Sequence, residues 1–105
     1  MGAKKYLNVK TGIYNGIDSI SVVGPFDLVD TAIDNIADTI ISEGKKNIVF
    51  DFSETTYITS SGLAVLLKIF KKCQKVKGNL YVTNITQDMY ELFNISSFDS
   101  FIQII

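Results

Sequence analysis

The stretch that begins at Asn47 constrains the fold more than any other part of the sequence. Ile48–Phe52 is apolar except for Asp51, which is typical of a central strand covered on both faces. Apolar residues then recur at helical spacing from Ser60 to about Val76. The residues between them, 53–57, are polar and are predicted to form a loop. A buried strand that leads through a loop into an apolar helix is a building unit of α/β proteins.

Strands and helices alternate along the rest of the chain. Asn15-Gly16 is a strong hairpin signal and separates the first two strands. The predicted strands are Tyr6–Lys10, Ile17–Val23 (closed by Gly24-Pro25), Leu80–Ile85 and Phe101–Ile105, and the predicted helices are Asp27–Ser42 and a short helix capped by Thr86. This order predicts one α/β domain over residues 1–105, with a mixed, largely parallel sheet and amphipathic helices packed against it.

The composition excludes several classes of function. The 105 residues include no histidine, which removes the commonest general base, the commonest metal ligand and the Ser-His-Asp triad. There is no arginine and the net charge is −1, so no nucleic-acid partner is expected. The single cysteine, Cys73, lies in the pattern of the second helix and is predicted to be a core residue. We expect no metal and no cofactor.

The location of the protein is also an expectation from the sequence. No signal peptide is visible, and no apolar run is long enough to cross a membrane. We therefore expect a cytoplasmic protein that does not insert into membranes.

One enzymatic hypothesis stays open. The sequence has no Gly-rich phosphate-binding loop and no Gly-x-Ser-x-Gly elbow. Asp27 and Asp51 each follow or end a predicted strand, and they would form a carboxylate pair if the fold brought them together. A small nucleotide-binding or hydrolytic protein is therefore one alternative, although aspartates at strand ends are more often caps or loop fasteners.

Two serines at the start of the second helix form the main candidate site. The first backbone N–H groups of a helix lack intrahelical partners, so the hydroxyls of Ser60 and Ser61 are suited to capping. The same position is suited to a phosphate, which gains from the helix dipole. Phosphorylation would add a charge of about −1.5 to −2 to a surface expected to be free of formal charge. It would disrupt an apolar contact and leave the fold intact.

Charged residues form two rows. Asp30, Asp34 and Asp38 make an acidic ridge along the first helix, and a lysine row follows the second helix at Lys68, Lys71, Lys72 and Lys75. Both are expected to be solvated faces, or else to steer the approach of a partner.

Two motifs together resemble the STAS domains, and specifically the anti-sigma-factor antagonists. The first is Asp51-Phe52-Ser53 followed by Tyr57-Ile58-Thr59-Ser60-Ser61-Gly62-Leu63, which is similar to that family's Asp-Leu-Ser, short loop and Ile-Asp-Ser-Ser-Gly-Leu. The second is Gly24-Pro25-Phe26-Asp27, which is similar to the family's Gly-Glu-Leu-Asp. Length and element order agree, so the resemblance covers essentially the whole chain.

The resemblance implies a regulator with no catalytic activity. Such a protein binds an anti-sigma factor, often itself a serine kinase, in its unphosphorylated form. The kinase phosphorylates the first serine of the motif, here Ser60, and a metal-dependent serine/threonine phosphatase removes the phosphate. Asp27, Thr59, Ser61, Gly62 and Leu63 would complete the partner-binding surface, with Gly62 allowing close approach of a partner backbone.

The sequence departs from that pattern at two positions. Thr59 stands where the family has aspartate, which makes Thr59 a second candidate acceptor, beside the less favoured Ser61. Pro25 replaces a glutamate. A STAS subunit that docks on the ATPase of a membrane transporter, without phosphorylation, is the alternative within the same fold.

Overall fold

The computed structural model describes residues 8–27 and 31–105 of the chain. Within these ranges the strands are β1 (Asn8–Tyr14), β2 (Ile17–Phe26), β3 (Ile48–Asp51), β4 (Thr55–Ile58), β5 (Leu80–Thr83) and β6 (Gln103–Ile104). The helices are α1 (Thr31–Ser42), α2 (Ser60–Lys75) and α3 (Gln87–Ile95), and a 3₁₀ turn covers Phe98–Ser100.

The described strands form a mixed sheet in the order β1-β2-β3-β5-β6, and β4 pairs with the far end of β2. β1 and β2 are antiparallel and turn at Asn15 and Gly16, which have φ angles of 49° and 81°. Positive φ at both residues is what a two-residue hairpin turn requires. The other strand pairs are parallel, and β3 is central. The predicted fold class, a largely parallel sheet after an opening hairpin, is therefore confirmed.

The polar loop predicted at residues 53–57 is wrong, because Thr55–Ile58 is the strand β4. The buried hydroxyl of Thr55 donates to the carbonyl of Val22 at 2.6 Å and so attaches β4 to β2. β2 itself continues to Phe26 instead of ending at Gly24-Pro25. The register with β4 shifts between those two residues, and the φ of +89° at Gly24 accommodates the irregularity.

Other element boundaries also differ from the predictions. β1 extends to Tyr14, whereas the start of the predicted strand at Tyr6 lies outside the described residues. Asp27 belongs to neither a strand nor a helix, so it does not begin the first helix. β5 ends at Thr83 because Asn84 has a φ of 57°, and β6 is shorter than predicted because a 3₁₀ turn occupies the residues before it.

The core lies between the helices and one face of the sheet. Three phenylalanines from strands or strand ends pack together, with ring centroids 6.0–6.2 Å apart: Phe26, Phe50 and Phe52. Phe93 of α3 packs against Phe52. Cys73 is buried in the same cluster, and burial raises the pKa of its thiol to about 11. Cys73 is therefore a core residue, as predicted.

The acidic ridge and the lysine row pair with each other. Lys68 contacts Asp34 at 2.6 Å, and Lys72 contacts Asp38 at 2.7 Å, joining α2 to α1. The charged rows lie at the surface, as expected, but these four residues pair across the two helices, which the sequence did not predict. Asp30 lies outside the described residues. In each pair one side chain is more than half exposed, so each pair contributes no more than about 1 kcal/mol.

Candidate functional site

The end of β2 and the start of α2 are held together at Phe26. The backbone N–H of Thr59 donates to the Phe26 carbonyl at 3.2 Å, and the Thr59 hydroxyl lies 3.5 Å from the same oxygen. The helix then begins, with the N–H of Leu63 donating to the Thr59 carbonyl at 2.9 Å. This junction fixes the position of every candidate residue around Ser60.

The structure assigns the N-cap of α2 to Thr59, so the prediction of a serine cap is wrong. Thr59 has extended backbone angles (φ −108°, ψ 178°), and Ser60 is the first helical residue. Ser60 is exposed, whereas Thr59 and Ser61 are half-buried. Within the described parts of the chain, no backbone carbonyl accepts from the N–H groups of Ser60, Ser61 or Gly62, and the Thr59 side chain makes no capping hydrogen bond. The exposed hydroxyl of Ser60 therefore stands beside helix donors that have no acceptor among the described residues.

Gly62 lies against the chain's own backbone. A Cβ atom at this position would collide with the carbonyl oxygen of Phe26 and would lie 2.7 Å from Cγ1 of Ile58. The backbone that approaches Gly62 most closely is therefore that of Phe26. Leu63 is only 6% exposed and packs into the core. Both residues are buried and hold the start of α2 in place.

Asp27 lies at the end of β2, where its carboxylate accepts a hydrogen bond from the hydroxyl of Tyr57 at 3.3 Å. The charge of Asp27 raises the pKa of Tyr57, and partial burial and the hydrogen bond act in the same direction. The surface beside Ser60, expected to be free of formal charge, thus carries one carboxylate. The sequence assigns no role to Tyr57, although its position in the motif, three residues before Ser60, is a signal that the sequence contains.

The pKa of Tyr57 offers a test of this geometry. Replacing Asp27 by asparagine removes the negative charge that disfavours the tyrosinate, so the pKa of Tyr57 is expected to fall toward its ordinary value. NMR titration of the ring-labelled tyrosines, with Tyr57 assigned by a Tyr57→Phe variant, measures it. Asp18→Asn, at the opposite end of β2, is the control and should leave this pKa unchanged. An unchanged value in Asp27→Asn would contradict the contact.

Asp51 does not join Asp27. The register pairs Asp51 with Ser21, so about 20 Å of strand separates it from Asp27 at roughly 3.3 Å per residue. Burial opposes ionisation of Asp51, but hydrogen bonds from Asn84 and Ser53 outweigh it and hold the pKa of this carboxyl below its usual value. Asp51 thus stabilises the residues that follow β3 and β5 by accepting hydrogen bonds from Ser53 and Asn84. The carboxylate pair of Asp27 and Asp51 considered from the sequence does not form.

Clefts lie near both ends of β2. A cleft of about 170 Å³ lies between β4 and α3 and includes Tyr57 in its lining. A larger cleft of about 350 Å³ lies between the hairpin and α1, at the Asp18 end of β2 and therefore far from Ser60. The larger volume of this second cleft is no reason to connect it with the candidate site at Ser60. Among the described residues no acidic or cysteine cluster is arranged to hold a metal ion, and no helix has the length and hydropathy to cross a membrane.

The fold is an α/β domain, and the exposed start of α2 is a candidate surface site at the end of its sheet. The chain belongs to the STAS domain family, whose model matches residues 10–105. The family membership predicted from the two motifs is thereby confirmed.

Similar proteins include several anti-sigma factor antagonists. BtrV of Bordetella bronchiseptica, assigned as one, is 33% identical over 58 residues, a match that covers 55% of this chain and half the length of BtrV. An anti-sigma factor antagonist from Mycobacterium paratuberculosis has the same fold, with a TM-score of 0.77, 19% identity, and coverage of 99% of this chain and 89% of its own. The phosphorylated form of the Bacillus cell fate determinant SpoIIAA gives a TM-score of 0.67 at 19% identity, covering 93% and 91% of the two chains.

Proposed function

We propose that this chain is an anti-sigma factor antagonist that binds its anti-sigma factor when Ser60 is unphosphorylated and releases it when Ser60 is phosphorylated. The observation that carries the proposal is the exposed Ser60 hydroxyl at the first position of α2, beside backbone donors that lack partners within the described residues. The names of the similar proteins support the same role, and one of them is described in a phosphorylated form.

Ser60 is the favoured acceptor among the three hydroxyls. A kinase must bring the attacking oxygen into line with the γ-phosphate, which requires an accessible side chain. Thr59 is half-buried with its hydroxyl near the Phe26 carbonyl, and Ser61 is also half-buried. Ser60 alone of the three is exposed, so phosphorylation there needs the least rearrangement.

The physical basis of the switch is the change in charge at a contact surface. A phosphate on Ser60 adds about −1.5 to −2 charges at the junction where Thr59 binds the carbonyl of Phe26, the residue before Asp27. The N–H groups of α2 that have no acceptor among the described residues favour the phosphate within the free chain, so the fold tolerates it. A partner that packs over Ser60 would instead have to accommodate the phosphate and its negative charge, which weakens the complex.

The remaining features of the proposal follow from this role. The chain would have no catalytic activity and no cofactor, and it would act as a single domain over residues 1–105 in the cytoplasm. Its partners would be an anti-sigma factor with serine kinase activity and a metal-dependent serine/threonine phosphatase. Asp27, Thr59, Ser60 and Ser61 would form the contact surface, positioned by Gly62 and Leu63.

Phosphate transfer tests the proposal. The chain is incubated with ATP and the anti-sigma kinases of its source organism, and the intact mass is measured. We expect one phosphate on the wild type and on Ser61→Ala and Thr59→Val, and none on Ser60→Ala. If no kinase adds a phosphate and a transporter ATPase co-purifies with the chain in place of an anti-sigma factor, the alternative of a transporter-docking STAS subunit replaces this proposal.

A further inference from the structure

The cleft between β4 and α3 is continuous with the proposed contact surface. Tyr57 both lines this cleft and donates its hydroxyl to Asp27, so the cleft opens directly beside the Ser60 end of α2. Its volume, about 170 Å³, is well below the roughly 300 Å³ at which clefts usually hold a small-molecule ligand. It has the size to receive one long side chain.

The lining of the cleft has two chemical parts. Ile58, Met89 and Leu92 supply an apolar wall. Thr56 and the exposed Asp88 add polar groups.

Among the described residues, the charged groups that line or adjoin the cleft are carboxylates. The described lining has no lysine, and Asp88 forms no ion pair with any residue of the described ranges. Asp27 adds a second carboxylate at the hydroxyl of Tyr57. Asp88 lies in the first turn of α3, where a carboxylate interacts favourably with the helix dipole. This interaction alone does not require an apolar cleft beside Asp88.

We propose that this cleft receives an arginine side chain of the protein partner. The aliphatic stem of arginine would pack along the apolar wall, and the planar guanidinium would reach Asp88 and the face of Tyr57. Lysine fits less well, because its ammonium group is compact and strongly hydrated and does not stack on a ring. The identity of the occupant as a partner residue rests on the proposed function, whereas the preference of the cleft for arginine does not.

The test uses a small probe and the isolated chain. The ¹⁵N-labelled chain is titrated with N-acetyl-L-arginine N-methylamide, and in parallel with the citrulline analogue, which has nearly the same shape and no charge. We expect saturable shifts confined to the amides of Thr56, Asp88, Met89 and their neighbours with arginine, and none with citrulline. Equal shifts with both probes, or arginine shifts scattered over other acidic residues, would overturn the proposal.

Two matched pairs of variants sharpen the result. Asp88→Lys should weaken arginine binding about tenfold or more, whereas Glu91→Lys, the same change at an exposed position of the same helix, should not. Thr56→Trp should block the cleft, and Thr11→Trp, on an exposed position of β1, should not. Retention of binding in both cleft variants would contradict the assignment.

This experiment contains neither a kinase nor an anti-sigma factor. A negative result therefore removes the arginine site and leaves the Ser60 switch standing. The kinase experiment can likewise fail while arginine binding persists, so the two proposals fail separately.

Discussion

Replacing Gly62 by alanine is expected to destabilise the chain by about 2–3 kcal/mol. At an exposed helix position the same change would stabilise by about 1 kcal/mol, because alanine is the better helix former. Here the added methyl group would collide with the Phe26 carbonyl and the side chain of Ile58, so α2 would have to move away from β2. A loss of this size is a substantial part of the roughly 5–15 kcal/mol that stabilises a domain.

Chemical denaturation measures this effect. The control is Ala64→Gly, the opposite change at an exposed position two residues along α2, which should cost about 1 kcal/mol from helix propensity alone. If Gly62→Ala is as stable as the wild type, the close packing of α2 on the end of β2 is not present in solution.

Replacing Ser60 by aspartate is expected to weaken binding to the anti-sigma factor by roughly 30- to 100-fold, equivalent to about 2–3 kcal/mol. The substitution places a charge in the proposed contact surface, next to the junction of Thr59 with Phe26, the residue before Asp27. Ser60→Ala removes the acceptor without adding charge and should bind as the unphosphorylated wild type does. Both variants should fold normally, because Ser60 is exposed and is not the cap of α2.

Calorimetric titration of the anti-sigma factor with each variant provides the affinities. Ser96→Asp, the same change at an exposed position near the end of α3, controls for the change in net charge and should bind normally. Wild-type affinity in Ser60→Asp would show that charge at this position is not the switch.

The sequence predicted those parts of the fold that depend on local pattern. The Asn15-Gly16 hairpin, the start of α2 at Ser60 and the cap at Thr86, whose hydroxyl accepts from the N–H of Met89 at 3.2 Å, all follow from short-range chemistry. β4 was missed because its four residues have no clear alternation. Its identity as a strand depends on pairing with β2 and on the bond between Thr55 and Val22, which lie 33 residues apart in the sequence.

The same limit applies at the candidate site. The serines and Asp27 were identified from their residue types and motif, but the contact between Asp27 and Tyr57 joins residues 30 apart in sequence. The collision that makes Gly62 necessary involves Phe26, far earlier in the chain. The pairing of Lys68 with Asp34 and of Lys72 with Asp38 depends on how α1 lies against α2. Each of these contacts is tertiary, so no local pattern in the sequence encodes it.

The most direct test of the account compares two forms of the native chain. One sample is phosphorylated at Ser60 and the other is fully dephosphorylated, and each is titrated into the same anti-sigma factor. We expect the dephosphorylated chain to bind and the phosphorylated chain to bind about 100-fold more weakly or not at all. Equal affinity of the two forms would contradict a phosphorylation switch at Ser60.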